Sequence, residues 1–321
     1  LLRRIDPAPP AHDLKLAAPD LKLPYRLLDV FTDKPLAGNP LAIVFDADAL
    51  DFSQMQAIAR EFNLSETVFV LTPRDPVNTA RLRIFTPTTE LPFAGHPTIG
   101  AASLIAALRA PEMLGQAPLR LVLEEQIGPV VCEAVRLNKV LRASFVVPRL
   151  PELFDPPLDV ARLASALALV ERDIGFDAHR PCLASAGLPF AFIPVGSLAT
   201  LNRVAPDFTA LASALPMERA AICLYTRETV DPAHHVQARV FIPGLGAHED
   251  PATGAAAAAF AGVAHRFEQP DDGEHMLLIE QGFAMGRPSL IALTLHVDRG
   301  ALTQVGVGGA CVIVGEGVLE L

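Results

Sequence analysis

The strongest constraint in this chain is an internal repeat. RIFTP from Arg83 to Pro87 leads to HPTIGAA from His96 to Ala102, and RVFIP from Arg239 to Pro243 leads to DPATGAA from Asp250 to Ala256, with an intervening loop two residues shorter. An earlier pair lies at a similar offset: AGNPLAIV from Ala37 to Val44 and AGLPFAFI from Ala186 to Ile193. A strand, a polar turn and a small-residue helix occurring twice imply two halves of about 150 residues built on one supersecondary plan. In each copy a polar residue stands before a proline at the expected helix start, His96 before Pro97 and Asp250 before Pro251. Aspartate as N-cap with proline at the first helical position is a start signal, so Asp250 and His96 are both expected as helix caps. The stretch after Asp250, ATGAAAAAFAGVAHRF, has almost no bulk before Phe260 and can lie very close to its surroundings.

The rest of the chain is read around this repeat. YRLLDVFTD from Tyr25 predicts a first strand, and LAIVFD a second one paired with it after the KPLAGNP turn. DFSQMQAIAREF, residues 51 to 62, has helical spacing after an aspartate cap, with Asn63 as the stop. SETVFVLTP predicts a strand that puts Glu66 at an edge, where it projects into a cleft. LRLVLEEQIGPVVCEAV and KVLRASFVVP predict further strands, and the four prolines of PRLPELFDPPLD mark a linker. The second half is expected to open with a helix over residues 160 to 173, continue as strand, helix, strand, strand, and end in glycine-punctuated strands.

Composition narrows the function. Hydrophobic content of 51% with a mean hydropathy of +0.34 indicates a sizeable core in 321 residues. A net charge of -10, with no Trp and two Tyr, argues against nucleic-acid binding. No apolar run reaches the roughly 18 residues of a membrane span, and no signal-peptide pattern precedes Tyr25. Cys132, Cys182, Cys223 and Cys311 are widely spaced and read as buried thiols of a reducing, cytoplasmic compartment. There is no GxxxxGK[ST] loop, GxSxG elbow or GxGxxG turn between strand and helix, so a nucleotide cofactor is not indicated. The run His248, Glu249, Asp250 does not make a metal site, because consecutive residues cannot all face one ion.

Each candidate site residue has an ordinary structural explanation, Glu66 as a solvated strand-end carboxylate, His96 and Asp250 as caps. Their joint occurrence in duplicated halves favours chemistry. Two helix starts facing one cleft would offer backbone N–H groups, near Gly254 and Ala255 on one side and near Pro97 on the other, to a small carboxylate. Glu66, His96 and Asp250 are then the groups available for proton transfer.

DVFTDKPLAGNPLAIVF, AREFNLSETVFV, RIFTPTTELPFAGHPTIGAA, EDPATGAAAAAF and QGFAMGRPS, in this order, strongly resemble the PhzF-like family of phenazine biosynthesis. The resemblance runs from about Tyr25 to the C-terminus. It implies an α/β (α+β) diaminopimelate epimerase-like fold with two pseudo-symmetric domains, each a sheet wrapped around a central helix. On this plan residues 1–24 are a loosely ordered extension, 25–148 the N-terminal domain and 149–306 the C-terminal one, with strands of about 307–321 returning to the first. A cofactor-independent isomerase is implied, with Glu66 transferring the proton, His96 and Asp250 holding or protonating the substrate, and a homodimer as the assembly. Asn39, Gly95, Gly254 and Ala255 are the expected substrate contacts. The phenazine enzymes have serine where this chain has Ala255, so a hydroxyl contact is missing while the N–H remains. An epimerase or dehydratase of a small amino or hydroxy acid, and a non-catalytic carboxylate-binding protein, are the alternatives.

Overall fold

Strand alternation, helix caps and one bulk-poor helix build each half. The computed structural model describes residues 21–216, 221–242 and 249–321. Most of the N-terminal extension and the GLGAH loop, with His248, lie outside the described residues. β1 (Lys22–Val30) is antiparallel to β2 (Asn39–Val44), the expected pair, although the strand begins at Lys22 rather than Tyr25. α1 (Phe52–Phe62) starts in a capping box, with Asp51 accepting the Gln54 N–H and Gln54 accepting that of Asp51, and Asn63 ends it in the left-handed region. β3 (Glu66–Leu71) runs parallel to β2 and antiparallel to β4 (Ala80–Phe85), whose end pairs with the short β5 (Glu90–Leu91). The inner helix α2 (Gly95–Arg109) and the meander β6 (Leu119–Glu125), β7 (Gly128–Leu137) and β8 (Val140–Val146) complete the first half.

The second half repeats the plan with extra helices on its outside. β9 (Glu152–Phe154) arises within the proline-rich segment expected as a linker, and it pairs with β10 (Cys182–Ser185). α3 (Val160–Ala166) is about half the length expected. Ala168 turns left-handed and Leu169 N–H closes back on the Ala164 carbonyl, while the carbonyls of Ala166 and Leu167 accept Asp207 and Ala205 N–H groups. β11 (Pro189–Pro194) is followed by α4 (Leu198–Arg203), which was not expected, and then by α5 (Phe208–Ala214). β12 (Ala221–Thr226), β13 (Val236–Phe241), β14 (Glu249–Asp250), α6 (Gly254–Glu268), β15 (Gly273–Gln281), β16 (Ser289–Asp298) and β17 (Ala301–Glu320) follow.

The repeat is real, but its register differs from the one read in the sequence. β5 and β14 are equivalent, because each holds a glutamate that takes a two-pronged bond from the preceding strand. Arg83 meets Glu90 at 2.7 Å through both Nε and Nη2, and Arg239 meets Glu249 at 2.9 and 2.8 Å. ELPFAGHP therefore aligns with EDPATGAA, so Asp250 is the counterpart of Leu91 and His96 that of Ala255. The loop between arginine and glutamate is longer in the second half, not shorter. The proline shared by His96-Pro97 and Asp250-Pro251 therefore marks no equivalence between the halves.

β1, β2, β3, β4, β6, β7 and β8 form a ring that β17 closes, pairing with β8 on one side and β1 on the other. The start of β17 pairs with β16, so one long strand is shared by both halves. α2 and α6 fill the interiors, buried from Gly95 to Ala106 and over nearly all of Gly254 to Ala264. Small side chains allow this, since a helix of Gly, Ala and Ser lets the surrounding strands approach its backbone. Separate apolar clusters lie under α1 and under α3, α4 and α5 on the outer faces.

Candidate active site

Among the described residues four helices begin on a polar side chain that takes up one or two of their free N–H groups: Asp51, Asp159, Ser197 and Asp207. The two inner helices do not. α2 starts after Ala94, and α6 after Thr253, and neither side chain caps its helix. The expectation that His96 and Asp250 are caps is therefore corrected. His96 lies inside the first turn of α2, and Asp250 lies in β14, three residues before the Thr253 position that a cap would occupy. Helical bonding begins at Thr98 N–H to Ala94 and at Ala257 N–H to Thr253. The N–H groups of Gly95, His96, Gly254, Ala255 and Ala256 precede that bonding, at the positive ends of two helix dipoles.

These two ends touch. A Cβ placed on Gly95 would stand 3.0 Å from the Gly254 Cα, and one on Gly254 would stand 3.2 Å from the Gly95 Cα. Only glycine at both positions permits this approach.

Glu66 opens β3, beside Leu41 of β2 and facing the helix starts. It is 9% exposed, and so is neither the edge carboxylate nor the solvated one that the sequence suggested. His96 is 5% exposed, and its Nε2 lies 3.4 Å from Glu66 Oε2. Among the described residues neither atom has a hydrogen-bond partner. Burial, followed by the charge of Asp250, pushes the Glu66 carboxyl up to about 8. Burial pushes the His96 imidazole down to about 3, against a hydrogen bond with the Pro40 backbone that favours its charged form. Burial disfavours the charged form of both groups, so their approach is not held together as an ion pair, and each atom is available to another partner.

Asp250 joins them from the other half. Burial raises it to about 6, opposed by bonds from Thr253 and Asn39. Thr253 Oγ1 donates to Asp250 Oδ2 at 2.5 Å, and Asn39 Nδ2 donates to Oδ1 at 3.0 Å and to the Ala252 carbonyl at 2.9 Å. Asn39, expected at the substrate, is engaged with Asp250 and Ala252 through Nδ2, while its Oδ1 is buried and has no hydrogen-bond partner among the described residues. Gly95, Gly254 and Ala255 form the touching helix starts. Two participants escaped the sequence reading, Thr253 and Gln281. Gln281 bonds Thr253 and the Asp250 carbonyl. Its place in QGFAMGRPS, far along the chain, carries no local signal for that role.

The four cysteines lie elsewhere, buried and unpaired on β7, β10, β12 and β17. Burial raises all four thiols, most strongly at Cys132 and Cys223. Among the described residues no cluster of His, Cys, Asp and Glu could hold a metal ion, and no helix is long and apolar enough to cross a membrane.

The family model for phenazine biosynthesis-like proteins matches residues 28–317. The chain belongs to this family. An uncharacterised isomerase of Mesorhizobium japonicum is 46% identical over 299 residues, 92% of this chain and 98% of the relative. A trans-2,3-dihydro-3-hydroxyanthranilate isomerase of Pseudomonas chlororaphis is 36% identical over 297 residues, 92% of this chain and 99% of that one. Relatives named as isomerases across the full length make this chain a PhzF-like isomerase. In structure it is similar to a PhzF-family phenazine biosynthesis protein of Bacillus anthracis, with a TM-score of 0.84 and 28% identity, covering 94% of this chain and 100% of that one. A hydroxyproline epimerase of Agrobacterium vitis, 12% identical with a TM-score of 0.59 over 94% of this chain and 93% of that one, shares the fold alone. The architecture is accordingly the diaminopimelate epimerase-like one.

Proposed function

We propose that this isomerase moves a proton on a small carboxylate substrate without a cofactor, between the starts of α2 and α6, with Glu66 removing the proton and returning it at another atom. The observation that carries this reading is the pair of buried atoms, Glu66 Oε2 and His96 Nε2, which face each other without a hydrogen-bond partner among the described residues. A carboxyl held at about 8 exists in both forms near neutral pH, which suits a group that must accept and then release a proton. The N–H groups of Gly95, His96, Gly254 and Ala255 receive the carboxylate and stabilise negative charge that develops on the substrate. His96 and Asp250 orient the reacting part, and Asn39 acts by holding Asp250. Ala255 supplies no side-chain contact, so the substrate is bound there by the backbone.

Trans-2,3-dihydro-3-hydroxyanthranilate, named in the Pseudomonas chlororaphis relative, carries such a carboxylate and is the first compound to assay. Turnover in D2O is followed by mass spectrometry, alongside a panel of small unsaturated carboxylates. Wild-type protein is expected to incorporate deuterium into product, and Glu66→Gln to incorporate none. Exchange that persists in Glu66→Gln rules out Glu66 as the transferring group.

A further inference from the structure

Gln281 closes β15 and is 2% exposed. Its side chain makes three bonds to the turn before α6. Oε1 accepts the Thr253 N–H at 3.1 Å, while Nε2 donates to the Asp250 carbonyl at 2.8 Å and to Thr253 Oγ1 at 3.0 Å. The main-chain partners settle which way the amide points, since an N–H only donates and a carbonyl only accepts. Thr253 Oγ1 thus receives a proton from Gln281, and its own single proton goes to Asp250 Oδ2 at 2.5 Å. Asn39 donates to the other oxygen. Both carboxylate oxygens of Asp250 accept, and the direction of the Thr253 bond is dictated by a side chain that does not touch the carboxylate.

The first half has a different arrangement. Glu125 ends β6 as Gln281 ends β15, and it accepts a hydrogen bond from Thr98 at 2.7 Å. The counterpart of Asp250 there is Leu91, which has no carboxylate to orient. An amide at this strand end accompanies the carboxylate that needs it.

We infer that Gln281 is a positioning residue, which fixes the Thr253 hydroxyl as a donor and thereby holds Asp250 in its accepting, ionised form. The consequence for turnover rests on the proposed role of Asp250, but the effect on its titration does not. Glu66 of β3 is the titratable group that the Asp250 charge acts on, with His96 of α2 beyond it, and Arg239 of β13 is occupied by Glu249. Among the described residues no cation forms an ion pair with Asp250.

The test is a 13C NMR titration of protein labelled at the aspartate carboxyl carbons, with Asp250 identified by its loss in Asp250→Asn. The Asp250 midpoint is expected to rise by about one pH unit in Gln281→Leu, because the Thr253 hydroxyl is then no longer fixed as a donor to the charged carboxylate. Thr253→Val should shift it equally, the double variant no further, and Thr253→Ser should restore the wild-type value. Gln281→Met serves the same purpose if the leucine variant does not fold. In turnover, the variant loses kcat at pH 6 with little change in KM, and the deficit shrinks toward pH 8. An unchanged midpoint in a folded Gln281 variant overturns the inference, as does an additive shift in the double variant. Because the titration needs no substrate, its outcome is separate from the Glu66→Gln exchange experiment.

Discussion

Gly95 and Gly254 meet backbone to backbone, each leaving room for the other where a side chain would stand, with 3.0 Å between the missing Cβ of Gly95 and the Cα of Gly254. Both are in helices without left-handed backbone, so alanine is conformationally acceptable at either position. The added methyl must push the helix starts apart. Gly95→Ala and Gly254→Ala are therefore expected to keep a near wild-type Tm while losing about 10- to 100-fold in kcat/KM, as small misplacements of reacting groups do. Wild-type activity in both variants would show that the contact is not part of the site.

Glu66 links activity to stability through pH. Its carboxyl is held at about 8 when folded against 4.5 for an ordinary glutamate, so the folded state binds its proton more tightly. That contribution is fully present below about pH 4.5 and is lost as pH rises toward 8. Glu66→Gln removes the burden of a buried ionising group. Urea denaturation is expected to show little difference from wild type at pH 4.5 and a gain of about 0.5–2 kcal/mol at pH 8, together with loss of turnover. A variant less stable than wild type at pH 8 contradicts the assignment of a buried, desolvated carboxyl.

As the base, Glu66 must be ionised in the free enzyme. The value of kcat/KM is expected to climb with pH and level off above about 8, the range to which burial and the Asp250 charge move this group. Asp250→Asn removes one of the two causes and should move that rise to lower pH. Measurement of kcat/KM from pH 5 to 9 in both proteins decides this, and an unshifted profile separates the two carboxyls.

Glu66, His96 and Asp250 could be picked from the sequence because each lies in a short motif beside a turn, and turns with helix starts leave strong local signals. Their relationship was legible only in part. The two-fold plan was visible, yet the pairing of His96 with Asp250 followed a shared proline, whereas the fold is keyed by Arg83 with Glu90 and Arg239 with Glu249. Capping rules misplaced Asp250, because Thr253 holds the helix-start position and turns its hydroxyl back to Asp250. Gln281 opens the QGFAMGRPS motif, but its role left no local trace, since its bonds to Thr253 and Asp250 cross from the end of β15 to the turn before α6. Likewise the end of α3 was set by carbonyls captured by Ala205 and Asp207, a tertiary cause that helical spacing does not contain.

The same QGFAMGRPS segment reaches the other wall of the site through Arg287. Its guanidinium meets Asp29 Oδ1 at 2.5 Å and the carbonyls of Gly38 and Ala37 at 2.7 Å each, while Asp29 Oδ2 takes the Leu36 N–H at 2.6 Å. These bonds hold the turn between β1 and β2, and Asn39, which bonds Asp250, follows directly. Asp29 is 2% exposed, so Arg287→Met would leave a buried carboxylate without its cation, a change that costs about 3–5 kcal/mol. Asp29→Asn in the same protein removes the stranded charge and should recover part of the stability, but not the bonds to Gly38 and Ala37. Activity is therefore expected to stay low in the double variant at temperatures where it is folded, because the turn that delivers Asn39 is no longer tied down. Urea denaturation and kcat/KM measured on wild type, both single variants and the double variant separate the two effects. Full recovery of turnover in the double variant would show that Arg287 serves only to neutralise Asp29.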